Sequence, residues 1–121
     1  MENINKKILL VEDNDINLQL AVALLSDLEV DIKTARNGLE AIDRVNETDF
    51  DAVLMDLQMP VMNGLEATRL IRKHEQFRDL PVYAITGHVS ESMRNECISI
   101  GFTNFITKPF DPEMLIEDIQ T

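Results

Sequence analysis

The sequence contains one cysteine and few basic residues, and both features exclude classes of protein. Cys97 has no partner for an internal disulfide, so we expect a small, partly buried thiol in a helix rather than a reactive group. The 11 lysines and arginines are outnumbered by 22 acidic residues, and the formal net charge of -11 argues against direct nucleic-acid binding. Net charge by itself says little about fold.

Long apolar stretches are also absent. No run approaches the roughly 20 residues that are needed to cross a bilayer. The first seven residues are not followed by a long apolar segment, so we expect no signal peptide, no membrane contact by this domain and a cytoplasmic location. The sequence has no interdomain linker, repeat or low-complexity tract. Its 121 residues, 45% of them hydrophobic, fit one compact domain over residues 1–121.

Apolar runs alternate with amphipathic segments along the chain. Continuous apolar runs are typical of parallel strands that are buried on both faces, whereas alternation indicates a strand with one solvated face. The alternating segment at residues 30–34 therefore predicts an edge strand. Buried strands are predicted at residues 7–11, 51–55, 80–85 and 102–107.

Helix candidates separate these strands. Apolar residues three and four apart predict a helix from Asn14 to Asp27. Its predicted apolar side consists of Ile16, Leu20, Ala21, Leu24 and Leu28. Further helices are predicted at residues 39–46, with Leu39, Ile42 and Val45 on one side, and at residues 65–75, 90–100 and 112–120. Five strand–helix units predict a three-layer α/β sandwich around a parallel sheet.

Polar residues follow the central strands of this predicted sheet. Functional groups in an open parallel sheet gather at the carboxyl ends of the strands, so we expect these residues to meet in one crevice. They are Glu12, Asp13, Asp56, Thr86 and Lys108. Each alone is most often a turn former, a helix cap or a solvated lysine. Their coincidence at one edge of the sheet predicts a functional site.

The chemistry of this set narrows the function. Three carboxylates in one crevice repel one another, and Mg²⁺ suits a few carboxylates together with water and phosphate oxygens. A carboxylate that ligates the metal through one oxygen can attack phosphorus with the other and form an aspartyl phosphate. Thr86 and Lys108 would then bind the phosphoryl oxygens, one through a hydroxyl hydrogen bond and one through its charge.

Four local motifs occur in a specific order. They are the segments Ile8 to Asn14, Leu54 to Gly64, Ala84 to His88, and Thr107 to Phe110. Over essentially the whole chain they resemble the response-regulator receiver domain of two-component signalling. The resemblance implies a doubly wound (βα)5, flavodoxin-like fold with a five-stranded parallel sheet of order 2-1-3-4-5 and helices on both faces. Residues 12–17 and 55–60 resemble receivers of hybrid histidine kinases more than the chemotaxis regulator. The sequence leaves open a stand-alone domain and a domain of a longer protein, such as the cytoplasmic part of a membrane-bound hybrid kinase.

The resemblance implies a role for each position of the site. Asp56 would be the phosphoacceptor. Asp13 would bind Mg²⁺ directly, Glu12 would bind it through water, and Gln58 would offer its backbone carbonyl. Thr86 and Lys108 would bind the phosphoryl group, and a cis peptide between Lys108 and Pro109 would aim the lysine at the carboxylates.

The resemblance also implies a switch and its partners. Inward movement of Thr86 would let the ring of Phe105 turn from exposed to buried. The face formed by residues 90–121 would bind an output partner or a second copy of the domain. A histidine kinase or histidine phosphotransfer domain would dock near the site, along the helix that begins at Asn14. Such a domain catalyses its own phosphorylation and dephosphorylation but acts mainly as a signalling switch.

Other readings fit the sequence less well. An aspartate-nucleophile phosphohydrolase of the haloacid-dehalogenase type needs a second acidic residue two positions after its nucleophile, and that position is Gln58. A flavodoxin-like electron carrier needs a phosphate loop rich in serine, threonine and glycine after its first strand, and this sequence has no such loop there. A nucleotide-binding module needs G-x-G-x-x-G or G-x-x-x-x-G-K-S/T, and neither occurs. A degenerate receiver would lack one of the carboxylates or the lysine, and this chain keeps them all.

Overall fold

Strands and helices alternate along the part of the chain that the computed structural model describes, which is residues 6–26, 30–57, 61–87 and 90–107. The strands there are β1 (Lys7–Val11), β2 (Asp31–Ala35), β3 (Ala52–Asp56), β4 (Val82–Thr86) and β5 (Asn104–Thr107). The α-helices there are α1 (Asp15–Ser26), α2 (Gly38–Glu47), α3 (Gly64–Arg72) and α4 (Glu91–Ile100), and a 3-10 helix covers Glu75–Phe77. The helix predicted at residues 112–120 and the turn at Lys108-Pro109 lie outside the described residues.

The five strands form one parallel sheet in the order β2-β1-β3-β4-β5. The predicted doubly wound fold and its strand order are therefore confirmed. The weakly alternating segment near residue 30 is β2, an edge strand whose side chains are mostly exposed or half-buried, as its pattern predicts. The register pairs Val11 with Met55, Asp56 with Ile85, and Thr86 with Thr107, so the three central strands end at the same edge.

Helices cover both faces of the sheet. Successive strand residues point to opposite faces, and they divide into two buried clusters accordingly. Leu9, Val53, Met55, Val82 and Ala84 pack on one face with Ala41, Val45, Ala67, Ile71 and Cys97, which α2, α3 and α4 contribute. Ile8, Leu10, Leu54, Tyr83 and Ile85 pack on the other face with Ala21 and Leu25 of α1.

The predicted apolar side of α1 is only partly correct. Ala21 is buried as predicted, and so is Leu25, which the spacing did not assign to that side, but Ile16 and Leu20 are 76% and 57% exposed. The side chains of Leu24 and Leu28 lie outside the described part of the chain. An α-helix turns about 100° per residue, which places Ile16 and Leu20 on the side away from the sheet when Ala21 and Leu25 face it. Leu39 of α2 departs from its prediction in the same way and is 48% exposed. Spacing identified these helices correctly and misassigned part of their buried faces.

Side-chain caps define where three of the helices begin. Asn37 and Asn63 accept hydrogen bonds through Oδ1 from the backbone N–H of Glu40 (3.0 Å) and Glu66 (2.9 Å). Ser90 does the same through Oγ with the N–H of Met93 (3.1 Å). Each cap satisfies an N–H that the first turn of a helix leaves without a partner. As a result α2, α3 and α4 begin at Gly38, Gly64 and Glu91.

Arg72 joins the ends of α3 and α4. Its Nε donates to the Gly101 carbonyl (2.9 Å), just after α4, and its Nη1 donates to the Phe77 carbonyl (2.6 Å). Burial lowers the pKa of the Arg72 guanidinium, and the Asp79 carboxylate opposes part of that shift. The arginine therefore attaches the C-terminal end of α4 to its neighbours.

Cys97 is the buried residue of α4. Burial raises the pKa of its thiol, and the neighbouring Glu96 carboxylate raises it further. A thiol with a raised pKa is a poor nucleophile, which agrees with the structural role expected from the sequence. Among the described helices, none is both long enough and apolar enough to cross a membrane.

Candidate metal centre

Three carboxylates meet at the carboxyl edge of the sheet. One oxygen from each of Glu12, Asp13 and Asp56 can be chosen so that all three lie within 4.8 Å of one another. Glu12 and Asp56 are buried, with only 5% and 6% of their surface exposed, whereas Asp13 is exposed. The fold thus assembles the acidic set predicted from the strand ends, although Glu12 and Asp56 are 44 positions apart in sequence.

Glu12 is held in place by the backbone on both sides. Its N–H donates to the Ala35 carbonyl at the end of β2 (3.0 Å), which extends the pairing of β1 and β2 by one residue. Its Oε2 accepts from the N–H of Asn14 (3.3 Å). Asn14 in turn accepts the N–H of Asn17 through Oδ1 (2.9 Å), so the acidic pair leads directly into the capped first turn of α1.

Asp56 is the last residue of β3, and the chain after it folds back against its main chain. The N–H of Gly64 donates to the Leu57 carbonyl (3.3 Å). A Cβ added to Gly64 would lie 2.3 Å from the Asp56 carbonyl oxygen and 2.8 Å from Cγ of Met55. Only a residue without a side chain fits this approach, so Gly64 lets α3 begin directly behind the acidic site.

Thr86 and Phe105 lie on the same face of the sheet. Phe105 pairs with Ala84, and Thr86 is two residues further along β4, so strand alternation turns their side chains the same way. Thr86 is buried at the end of its strand, and Phe105 is half-buried against the cluster that α2, α3 and α4 cover. Gln58 and Lys108, the two other predicted site residues, lie outside the described residues.

The donor set fits a hard divalent cation. Carboxylate oxygens are the protein ligands that Mg²⁺ prefers, and it usually keeps several waters and binds through only one or two of them. The exposed Asp13 leaves the solvent side of the cluster open to such waters. Glu12, Asp13 and Asp56 are therefore the residues that would hold the ion.

The carboxylates repel one another without metal, so we expect Asp13→Ala to raise the free energy of unfolding of the metal-free protein by about 1 kcal/mol. Mg²⁺ should raise the midpoint of thermal unfolding of the wild type by mass action and raise that of Asp13→Ala much less. Asp49→Ala is the matched control, because Asp49 is exposed and precedes β3 at the opposite edge of the sheet. Equal Mg²⁺ responses in wild type and Asp13→Ala would contradict the site.

Two contacts near this edge were not predicted from the sequence. Arg36 forms an ion pair with Asp15 at the start of α1. The guanidinium carbon of Arg94, in α4, lies 4.9 Å from the centre of the Phe105 ring. Neither contact has a signal in the sequence, because the partners are 21 and 11 positions apart and come together only when α1 and α4 pack against the sheet.

Together, the parallel sheet and the carboxylates at its edge define a doubly wound α/β domain with an acidic candidate site. The family model for the response regulator receiver domain matches residues 8–120. The chain belongs to this family and is a receiver domain of the two-component and phosphorelay type.

The relatives specify the type of receiver. Over 98% of its length the chain is 35% identical to histidine kinase 5 of Arabidopsis thaliana, and it spans 16% of that protein. A solved structure that is similar to the chain is the receiver domain of the sensor histidine kinase PA1611 from Pseudomonas aeruginosa PAO1, with a magnesium ion coordinated in its active-site cleft. The two sequences are 34% identical, the TM-score is 0.87, and the match covers 96% of this chain and 95% of that one.

A third relative was solved together with its partner. It is the receiver domain of the Saccharomyces cerevisiae response regulator Ssk1, in a co-crystal with the histidine phosphotransfer signaling protein Ypd1. The match is 28% identical with a TM-score of 0.87 and covers 99% of this chain and 90% of that one. The predicted likeness to receivers of hybrid histidine kinases is confirmed by these comparisons.

Proposed function

We propose that this receiver takes a phosphoryl group onto Asp56 in a reaction that needs Mg²⁺. The resulting conformational change then reaches the face that includes α4 and β5. The observation that carries the proposal is the cluster of Glu12, Asp13 and Asp56, whose carboxylate oxygens lie within 4.8 Å of one another at the carboxyl edge of the sheet. Such a cluster is costly without a cation, and it matches the needs of phosphoryl transfer to a carboxylate.

Each residue of the site has its own role in the proposed phosphoryl transfer. An Asp56 oxygen attacks phosphorus while the bond from phosphorus to the donor nitrogen breaks, and the donor imidazole leaves. Bound Mg²⁺ would neutralise the charge that builds up on the phosphoryl oxygens. Burial of Glu12 and Asp56 lowers the local dielectric, which strengthens each of these electrostatic contacts. Thr86 is suited to donate its hydroxyl to the new phosphoryl group, and we assign Lys108 and the Gln58 carbonyl to the same site from the family resemblance.

The phosphodonor is a histidine kinase or a histidine phosphotransfer domain, and α1 is its docking surface. Ile16 and Leu20 lie one turn apart on the solvent side of α1, close to the acidic pair that leads into this helix. An exposed apolar pair on the helix that follows Glu12 and Asp13 suits a helix of a partner protein. The co-crystal of Ypd1 with the Ssk1 receiver supports this class of partner.

The signal leaves the site through Thr86 and Phe105. These side chains share one face of the sheet, two residues apart across β4 and β5, and Phe105 packs against the cluster that α4 helps to cover. Movement of Thr86 toward a phosphoryl group would make room for the Phe105 ring to turn inward. The exposed face that includes α4 and β5 would then bind an output partner or a second copy of the domain.

Beryllofluoride tests this function because it mimics a phosphoryl group on Asp56. With Mg²⁺ present, we expect NMR shifts that spread from residues 56 and 86 to Phe105 and α4. In Thr86→Ala we expect the shifts at residue 56 to persist and those in α4 to be lost, because the methyl group cannot donate to the phosphoryl mimic. Thr34→Ala, on the edge strand β2, is the control and should leave all shifts in place.

Two outcomes would count against parts of this proposal. Absence of any shift at residue 56 would contradict the phosphoacceptor assignment. Unchanged α4 shifts in Thr86→Ala would leave Asp56 as a phosphoacceptor and would remove the coupling between Thr86 and Phe105.

A further inference from the structure

The helix α4 is attached to the sheet more lightly than its neighbours. Four residues of α3 and three residues of α2 are buried, but in α4 Cys97 alone is buried. Met93 and Ile100 are partly buried, while Ile98 is 59% exposed. A helix that buries so little apolar surface moves at low free-energy cost, so its few other contacts decide its position.

The C-terminal end of α4 is firmly fixed. Gly101 and Phe102 both donate backbone hydrogen bonds to the Cys97 carbonyl, at 3.0 and 3.1 Å. Arg72 holds the Gly101 carbonyl from α3, and Phe102 is buried. Thr103 then exchanges two hydrogen bonds with Val82, through its N–H and its Oγ1, at 2.7 and 3.0 Å. This end is therefore anchored both to α3 and to the first residue of β4.

The N-terminal end of α4 lies at the side of the sheet where the candidate site is. It follows β4 by a short connection, and within the described residues its cap, Ser90, bonds to its own helix, through Oγ to the N–H of Met93 (3.1 Å) and through its carbonyl to the N–H of Arg94 (2.9 Å). The described contact that reaches from this end to the sheet through a charge is the one between the Arg94 guanidinium and the Phe105 ring. Within the described residues Arg94 forms no ion pair, so its charge is directed at the ring.

We propose that Arg94 is a latch, which holds the first turns of α4 on Phe105 in the unphosphorylated protein and must be released for the ring to turn inward. This inference rests on the proposed role of Asp56 and Phe105. It adds a contact that sets the equilibrium between the resting state and the state with the ring turned inward. An inward ring moves away from the guanidinium, so the cation–π contact stabilises the resting state alone. The contact therefore reduces the apparent affinity of the site for a phosphoryl group.

Titration with beryllofluoride and Mg²⁺ tests the latch by the sign of a change in affinity. We expect Arg94→Met to bind beryllofluoride about two- to five-fold more tightly than wild type, the range of population change that an exposed cation–π contact provides. Simple electrostatics predicts the opposite, because removal of a positive charge weakens the binding of an anion. Arg94→Lys keeps a cation above the ring and should restore most of the wild-type affinity.

The partner residue supplies the matched control. In a Phe105→Leu background, Arg94→Met should no longer change the affinity, because the ring that the cation contacts is absent. Affinity that is unchanged or weaker in Arg94→Met would overturn the latch, as would an undiminished effect in Phe105→Leu. Loss of beryllofluoride binding in the wild type would instead overturn the proposed function.

Amide hydrogen exchange without beryllofluoride tests the latch independently of phosphorylation. In Arg94→Met we expect the amides of Asn95 and Glu96 to exchange about two- to five-fold faster than in wild type, while the amides of β3 keep their rates. A uniform increase across the chain would mean that Arg94 contributes only to global stability. Such a uniform increase, or unchanged rates in the first turns of α4, would contradict the latch.

Discussion

Asp56→Asn is expected to take up no phosphoryl group from acetyl phosphate and Mg²⁺ under conditions in which the wild type takes up one per chain. The wild-type adduct should be labile to hydroxylamine, which cleaves acyl phosphates. The amide of asparagine is a poor nucleophile and adds no negative charge for the metal, so both the attack and the ion site are impaired. Intact-mass spectrometry measures the stoichiometry directly.

The control for this substitution is Asp49→Asn, which removes a carboxylate at the opposite edge of the sheet. It should be labelled like wild type. Chelation of Mg²⁺ should suppress labelling of the wild type and of Asp49→Asn, because an anionic phosphodonor is repelled by the carboxylate cluster when no cation is bound. An Asp56→Asn protein that is still labelled at full stoichiometry would falsify the assignment of the phosphoacceptor.

Gly64→Ala is expected to be destabilising by about 1–3 kcal/mol and to slow phosphorylation of Asp56. The new Cβ would lie 2.3 Å from the Asp56 carbonyl oxygen, and backbone atoms of a central strand cannot move aside without shifting the carboxylate. Alanine is ordinarily favoured over glycine in a helix by up to about 1 kcal/mol, so a loss of stability here identifies the clash. Chemical denaturation and the labelling rate measure the two effects.

The same substitution at Gly87 is the matched control. Gly87 follows Thr86 at the same edge of the sheet, and a Cβ added there would meet no atom within 4 Å. We expect Gly87→Ala to keep wild-type stability. Equal losses of stability in Gly64→Ala and Gly87→Ala would contradict the expected clash between a Cβ at position 64 and the Asp56 carbonyl oxygen.

The three carboxylates of the acidic cluster differ in how deeply they are buried. Glu12 and Asp56 are almost completely buried, whereas Asp13 is exposed. A nucleophile shielded from water reacts in a low dielectric, where electrostatic stabilisation is strongest, and an exposed ligand keeps an open path for a hydrated ion. This difference in burial supports the proposed role of Asp56 as phosphoacceptor and leaves Asp13 accessible to a hydrated cation.

The receiver corresponds to a small part of its curated relatives. It spans between 5% and 16% of the length of the histidine kinases that it matches. In the proposed switch, the weakly attached α4 and the contact of Arg94 with Phe105 would set how much of the domain is active before any transfer occurs.

The sequence by itself determined the class of fold and most of the acidic site. Buried parallel strands are continuous apolar runs, and such a run ends visibly when Glu12 or Asp56 follows it. Because parallel strands all end at one edge, the ends of β1 and β3 were sufficient to predict that the carboxylates of Glu12, Asp13 and Asp56 meet. Helix positions followed from the spacing of apolar residues, although boundaries moved by up to three residues, as at the end of α3. The caps at Asn37, Asn63 and Ser90 were recognised only in the structure.

Only the tertiary structure decided which faces are buried and which distant residues touch. Ile16 and Leu20 have the spacing of core residues, but α1 presents another side to the sheet, and no local pattern encodes that rotation. The clearance behind Gly64 and the contact between Arg94 and Phe105 depend on how α3 and α4 pack on the strands. Local sequence determines periodicity and caps, whereas the orientation of packed elements is set by the sum of many weak contacts across the whole core.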